Sequence, residues 1–91
     1  MAAWNELKLR TLALFERSGP IRPGEYMVRA RFYPLQAADA YLRRLTKMGL
    51  LQRSRDARGL YLYRLSKWGA ARLAWLRGPG APGGKPKEKN V

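Results

Sequence analysis

The feature that most constrains the fold of this chain is a change of apolar periodicity at Gly49. Before this glycine, residues 35–48 place their apolar side chains at the spacing of one helix face, at Ala38, Tyr41, Leu42, Leu45 and Met48. After it, residues 50–65 show the pattern of two strands around the turn Asp56-Ala57-Arg58-Gly59, in which Gly59 supplies the left-handed conformation. The pattern predicts a helix over Leu35–Met48 that passes into a β-hairpin through a glycine C-cap.

Two further helices are predicted on the N-terminal side of this unit. The first spans Trp4–Arg17 and ends at Ser18-Gly19-Pro20, because glycine favours a helix end and proline cannot continue a helix. Ile21 follows as an isolated apolar residue, with room for a bridge to a strand. The second helix opens at Pro23 and runs toward Phe32, although the aromatic and β-branched side chains of residues 26–33 also suit a strand.

A fourth helix is predicted after the hairpin, with Ser66 as its N-cap and residues 67–77 as its body. The chain is therefore expected to be mainly α with a small β-hairpin, in the order α-β-α-α-β-β-α. Residues 3–77 form the predicted domain. Residues 78–91 are rich in Gly, Pro and Lys and nearly devoid of apolar side chains, which predicts a disordered tail.

The charge of the chain favours a polyanionic partner. The 91 residues include 19 Lys and Arg against 6 Asp and Glu, a net charge of +13 at pH 7. The predicted tail holds three lysines and one glutamate, so the predicted domain carries 16 basic and 5 acidic side chains, or +11. A field of this sign attracts nucleic acid first and an anionic membrane second. The alternative is that arginine only keeps the protein dissolved.

The chain contains no Cys and no His. Disulfides, thiolate nucleophiles, imidazole bases and the usual zinc ligands are therefore excluded. The six carboxylates form no paired acid–base motif, and the sequence shows no phosphate-binding loop and no metal cluster. We expect no enzyme activity and no cofactor. No apolar run approaches the ~20 residues that span a bilayer, so we expect a cytoplasmic protein, nucleoid-associated if prokaryotic, without a membrane partner.

Residues 41–69 carry two motifs at a defined separation. Leu-x-x-Leu-x-x-x-Gly-Leu-Leu is formed by Leu42, Leu45, Gly49, Leu50 and Leu51. After a basic hairpin, Tyr-x-Leu-Ser-x-x-Gly is formed by Tyr63, Leu65, Ser66 and Gly69. This third of the chain resembles the winged helix-turn-helix transcriptional regulators, the group that includes the arsenical-repressor, multiple-antibiotic-resistance and phenolic-acid-repressor types. The first two helices match that group mainly in length and order.

The resemblance implies binding of double-stranded DNA in a small transcriptional regulator. Helix 35–48 would enter the major groove, with hairpin 50–65 as the wing. Gln36, Ala37, Asp39, Ala40 and Arg43 would face base edges, where Gln36 suits adenine and Arg43 suits guanine. Arg44 and Lys47 suit phosphates, and Arg58 at the wing tip suits the minor groove or the backbone. The predicted nucleic-acid-binding residues are Gln36, Asp39, Arg43, Arg44, Lys47, Arg53, Arg55 and Arg58.

Asp39 is expected in the middle of this surface, where a carboxylate is repelled by phosphate. Two roles are open. The carboxylate accepts a hydrogen bond from cytosine, or it pairs with Arg43 at the spacing i, i+4, which is the role we favour. The neighbouring alanines leave few direct readers of sequence, so recognition is expected to be modest or to depend on DNA shape.

A homodimer through the terminal helices is also expected. Regulators of the resembling group often dimerise there, and a small domain cannot easily bury Trp4, Trp68 and Trp75. Two alternatives share the fold and the charge. One is RNA or single-strand binding, in which the aromatic and arginine side chains of residues 26–33 stack on bases. The other is a winged-helix module for protein–protein contact in a larger nucleic-acid complex.

Overall fold

A computed structural model describes residues 3–78. In this range, an antiparallel hairpin lies in the chain between the third and fourth of four helices. The helices are α1 (Ala3–Ser18), α2 (Pro23–Ala30), α3 (Leu35–Lys47) and α4 (Lys67–Leu76), and the strands are β1 (Leu51–Arg55) and β2 (Tyr61–Leu65). The predicted mainly helical fold is confirmed. Except for Gly78, the predicted tail lies outside the described residues.

The hairpin is attached to the helices through the bridge that Ile21 was predicted to form. The Ile21 N–H donates to the Tyr63 carbonyl oxygen at 2.8 Å, and the Tyr63 N–H donates to the Ile21 carbonyl oxygen at 3.0 Å. The register pairs Leu51 with Leu65 and Arg55 with Tyr61. Since side chains alternate along a strand, Leu51 and Tyr63 point to the same face and are buried there.

A single core receives buried side chains from all four helices, both strands and two connecting segments. Its members are Leu12, Phe15, Ile21, Tyr26, Ala38, Leu42, Leu45, Leu50, Leu51, Tyr63 and Leu73. In α3, the predicted inward face is confirmed for Ala38, Leu42 and Leu45, and Tyr41 is half-buried. The prediction is wrong for Met48, which is 43% exposed: the helix ends one residue earlier, and the chain re-enters the core only at Leu50.

A column of aromatic rings crosses the core from α1 to α3. The ring centroids of Phe15 and Tyr26 are 6.1 Å apart, those of Tyr26 and Phe32 are 6.0 Å apart, and those of Phe32 and Tyr41 are 5.4 Å apart. Residues 26–30 are therefore helical, and the alternative strand is not formed. Tyr26 is fully buried, so the interpretation of this side chain as a stacking surface for bases is wrong.

Buried hydroxyls accompany these rings. Thr11 Oγ1 and the Tyr26 hydroxyl are 2.8 Å apart. Burial raises the pKa of Tyr26, and it raises the pKa of Tyr41 to about 12. Both phenols therefore stay neutral over a wider pH range than an exposed tyrosine does.

The turn from α3 into β1 also fixes the start of α4. Gly49 has a φ of 82° and ends α3 as predicted, with its N–H donating to the Thr46 carbonyl oxygen. The Ser66 hydroxyl donates to the Gly49 carbonyl oxygen at 2.6 Å and accepts the Gly69 N–H at 2.8 Å, which confirms Ser66 as the N-cap. Gly69 then packs directly on the Leu50 carbonyl group. These contacts explain the glycines and the serine of both sequence motifs.

Candidate nucleic-acid interface

Helix α3 presents a polar face on the side opposite its buried residues. Gln36, Ala40, Arg43 and Lys47 follow one another at steps of four, three and four residues, which places them in one line along the helix. All four are exposed, and so is Arg44 beside them. Of the predicted site residues on this helix, the structure thus brings Gln36, Arg43, Arg44 and Lys47 together on one accessible surface.

Asp39 was expected in the middle of this surface, and that prediction is wrong. It is only partly exposed and lines a recess with Arg22, Gln36 and Tyr61, so it is located at the edge of α3 that faces the N-terminus of α2 and the hairpin. The carboxylate is paired with Arg43: Oδ2 lies 3.2 Å from Arg43 Nε. The ion pair that we favoured for Asp39 is therefore present. Its position could not be predicted because it depends on the rotation of α3 against the hairpin.

The hairpin directs two arginines toward α3. Strand alternation places Arg53 and Arg55 on the same face as Tyr61. The guanidinium carbons of Arg53 and Arg55 lie 4.3 and 4.9 Å from the centroid of the Tyr61 ring, and Arg55 Nη2 donates to the Tyr61 hydroxyl at 2.9 Å. This hydrogen bond, with the two positive charges, lowers the pKa of Tyr61. Tyr61 thus holds both cations on the inner face of the wing, and the sequence reasoning did not identify it.

The two surfaces meet in an open groove of about 470 Å³ between α3 and β1. Four of its six lining residues are cations: Arg43, Arg44, Lys47 and Arg53. The other two are Ala40 and Thr46, so no carboxylate lines it. Within residues 3–78, Arg44, Lys47 and Arg53 form no ion pair. Uncompensated positive charge in a concave surface attracts a polyanion that can follow the groove.

The wing tip is held in place by Asp56. Its Oδ1 accepts the N–H of Arg58 at 2.8 Å and the N–H of Leu60 at 3.0 Å, and its Oδ2 lies 2.7 Å from Arg22 Nη2. The backbone bond from Leu60 is the largest cause of the lowered pKa of Asp56, and the bond from Arg58 and the Arg22 guanidinium add to it. Arg58 itself is exposed at the tip. An aspartate at the first position of the turn signalled the backbone bonds, but nothing in the sequence signalled Arg22.

Across the described part of the chain, no three carboxylates come close enough together to hold a metal ion. The same residues include no helix that is both long and apolar enough to cross a bilayer.

Comparison with known proteins identifies the fold. No protein-family model matches the chain, and no curated protein matches it. A crystal structure of a mutant of MarR from E. coli is similar, with a TM-score of 0.68 and 22% sequence identity over 78% of this chain. The match covers 53% of the MarR chain, so this chain spans about half the length of that structure. The architecture of residues 3–78 is a winged helix like that of MarR.

Proposed function

We propose that this chain binds double-stranded DNA as a small transcriptional regulator. The observation that carries the proposal is the groove between α3 and β1, in which four cations face solvent and no carboxylate lines the wall. A helix of the size of α3 fits the major groove of B-DNA. The resemblance of residues 41–69 to winged helix-turn-helix regulators and the likeness of the fold to MarR support the same assignment.

In the proposed complex, α3 lies in the major groove and the hairpin lies along the adjacent backbone as a wing. Gln36 and Arg43 contact base edges, and Arg44 and Lys47 contact phosphates. Arg53 and Arg55, oriented by Tyr61, contact the DNA backbone beside α3. Arg58 at the tip contacts the DNA backbone or the minor groove. Residues 3–77 act as the binding unit. Neither this surface nor the composition suggests a reaction, so we propose a binding protein and not an enzyme.

The experiment that tests this function is selection of bound duplexes from a random DNA pool at near-physiological salt. Recovery of a sequence motif is the expected result and would establish a sequence-specific binder. Duplex retained without any motif would replace the regulator by a non-specific binder. If no duplex is retained, the proposal is wrong.

We further propose that the protein forms a homodimer through α4. Trp68 and Trp75 lie seven residues apart on its outer face and are 62% and 60% exposed, with Ala71 between them. The Arg72 guanidinium lies 5.1 Å from the Trp75 ring. Two tryptophans with this exposure are typical of an interface rather than of a monomer surface. Sedimentation at tens of micromolar is expected to show a dimer, and W68E/W75E is expected to sediment as a folded monomer. An unaltered chain that is monomeric at this concentration would contradict the dimer.

Single-strand binding is a second candidate, because one observation favours it. An open recess of about 280 Å³ beside α3 is lined by Phe32, Ala37, Ala40, Tyr41 and Arg44. Aromatic rings next to an arginine form a surface on which unpaired bases stack. Tyr33 follows Phe32 in the segment that connects α2 and α3, and its side chain is 60% exposed. Competition decides between the candidates: a single-stranded competitor that displaces labelled duplex at equal or lower concentration favours this one.

A further inference from the structure

The surface of α3 that faces away from the core carries an ion pair for which the proposed DNA contacts give no reason. Asp39 is the one carboxylate of α3, and it lies beside the line of exposed side chains that includes Gln36, Arg43 and Lys47. A carboxylate near bound phosphates weakens binding to every duplex, whatever its sequence. An i, i+4 ion pair at the surface, with Arg43 exposed and Asp39 partly exposed, also contributes little to helix stability. The effect of Asp39 is therefore to be sought in what it does to Arg43.

The geometry of the pair restricts the guanidinium of Arg43. Asp39 Oδ2 lies 3.2 Å from Nε, so the carboxylate occupies the Nε side of the planar group. Among residues 3–78, Arg43 has no second ion-pair or hydrogen-bond partner, so its Nη1 and Nη2 edge remains available. That edge presents two parallel N–H groups, which is the arrangement that matches the O6 and N7 acceptors of guanine.

The direction of the pair matters as well. Asp39 is one helical turn nearer the N-terminus than Arg43, and it draws the guanidinium toward that end of α3. In helix-turn-helix proteins, the N-terminal part of the recognition helix contacts the base edges. An arginine held there before binding loses less conformational freedom when it meets guanine than a free one does.

We infer that Asp39 is a positioning residue that makes Arg43 selective for guanine, at the expense of affinity for DNA in general. This inference rests on the proposed DNA-binding function and adds a specificity-determining residue to it. The carboxylate touches no base in this account and acts only through the guanidinium of Arg43. Removing it is thus expected to change affinity and selectivity in opposite directions.

The experiment compares four duplexes with the unaltered chain and its variants. The first is the motif recovered from the random pool, with its guanine opposite Arg43 identified by loss of preference in R43A. In the second and third duplexes that guanine is replaced by 7-deazaguanine, which lacks the N7 acceptor, and by adenine. In the fourth it is replaced by inosine, which keeps both major-groove acceptors and serves as the control base. The readout is the ratio of the dissociation constants for each replaced duplex and for the guanine duplex.

For the unaltered chain, the ratio is expected to be between about fivefold and 150-fold for adenine, and close to one for inosine. D39N is expected to lower the adenine and 7-deazaguanine ratios by about fivefold or more while binding a scrambled duplex more tightly. D39E keeps the negative charge one turn from Arg43, so its adenine and 7-deazaguanine ratios are expected to lie between those of D39N and those of the unaltered chain. In the double variant D39N/R43A, the ratios are expected to equal those of R43A alone.

Glu25 and Arg29 provide a matched control. They form an i, i+4 pair on α2 with Nη2 and Oε2 3.1 Å apart and with similar exposure. E25Q removes the same charge outside the α3 surface and is expected to leave every ratio unchanged. Unchanged ratios in D39N, or a loss in D39N that adds to that of R43A, would overturn the role of Asp39 while duplex binding stands. If the unaltered chain binds no duplex, both the function and this inference fall.

Discussion

At the scale of single residues, the buried hydrogen bond between the side chains of Thr11 and Tyr26 leads to a direct test. The two oxygens are 2.8 Å apart and both side chains are almost fully buried. T11V leaves the Tyr26 hydroxyl without its partner, so we expect the free energy of unfolding in urea to fall by about 1–3 kcal/mol. T11V/Y26F removes both polar groups and is expected to be more stable than T11V. T46V is the control, because the Thr46 hydroxyl donates to the Leu42 carbonyl of its own helix and its loss costs little. Equal stability of T11V and the unaltered chain would contradict the importance of this bond.

Asp56 predicts a pH dependence of the fold. The backbone N–H of Leu60, the N–H of Arg58 and the Arg22 guanidinium all favour its charged form, and its pKa is lower than in an unfolded chain. The stabilisation is therefore complete above the unfolded value of about 3.9 and is lost as the pH falls through the folded-state pKa. Below about pH 4, the melting temperature of the unaltered chain should fall more steeply than that of D56N.

R22Q separates the two kinds of partner around Asp56. The backbone bonds from Leu60 and Arg58 survive in this variant, so the dependence on pH should be intermediate between those of D56N and the unaltered chain. Parallel profiles for all three proteins would show that Asp56 does not titrate with folding.

At the scale of elements, the junction between α3, β1 and α4 leaves no space for a side chain at Gly69. A Cβ at this position would overlap the backbone carbonyl group of Leu50, which cannot move without displacing the hairpin. G69A is expected to lower the free energy of unfolding by about 3 kcal/mol, the cost of overpacking a rigid site. Gly24, in the first turn of α2, has no atom within 4 Å of a Cβ position. G24A is therefore the matched control and should be neutral or stabilising by up to about 1 kcal/mol. Thermal unfolding measures the stability of G69A and G24A. Similar melting temperatures for the two variants would refute the close approach of Gly69 to the Leu50 carbonyl group.

The elements were predictable where the local pattern decides the structure. Gly49 and Ser66 were assigned correctly because a helix end and an N-cap depend on neighbouring backbone groups. The helix predicted from Pro23 toward Phe32 is confirmed over Pro23–Ala30, although the composition of residues 26–33 also suits a strand. Packing of Tyr26 between Phe15 and Phe32, which no local pattern shows, supports the helix.

The candidate site shows the same division at longer range. The sequence predicted which residues of α3 are exposed, because a buried face determines its opposite. It did not predict that Asp39 faces the hairpin, nor that Arg22 pairs with Asp56. Both depend on how elements far apart in the chain are oriented against each other, and no local pattern carries that information.

At the scale of the whole molecule, most acidic side chains of residues 3–78 form ion pairs with arginines. Glu16, Glu25, Asp39 and Asp56 are four of the five carboxylates in residues 3–78, and each is in an ion pair. Most of the 16 cations in this range therefore keep their charge uncompensated. A general positive field attracts DNA to any face of the molecule, so net charge alone does not identify the binding surface.

Salt dependence distinguishes a contacting cation from a distant one. Phosphate contact releases counterions, and each contact adds about 0.9 to the slope of log affinity against log salt for B-DNA. R44A/K47A removes two exposed cations from the groove beside α3 and is expected to flatten the slope by about two units. R10A/R17A removes the same charge from the exposed side of α1 and is expected to leave the slope nearly unchanged, because those side chains touch no phosphate in the proposed complex. Titrations of one duplex at several salt concentrations give both slopes. Equal flattening in the two variants would mean that DNA is held by the general field, and the α3 groove would then lose its special role.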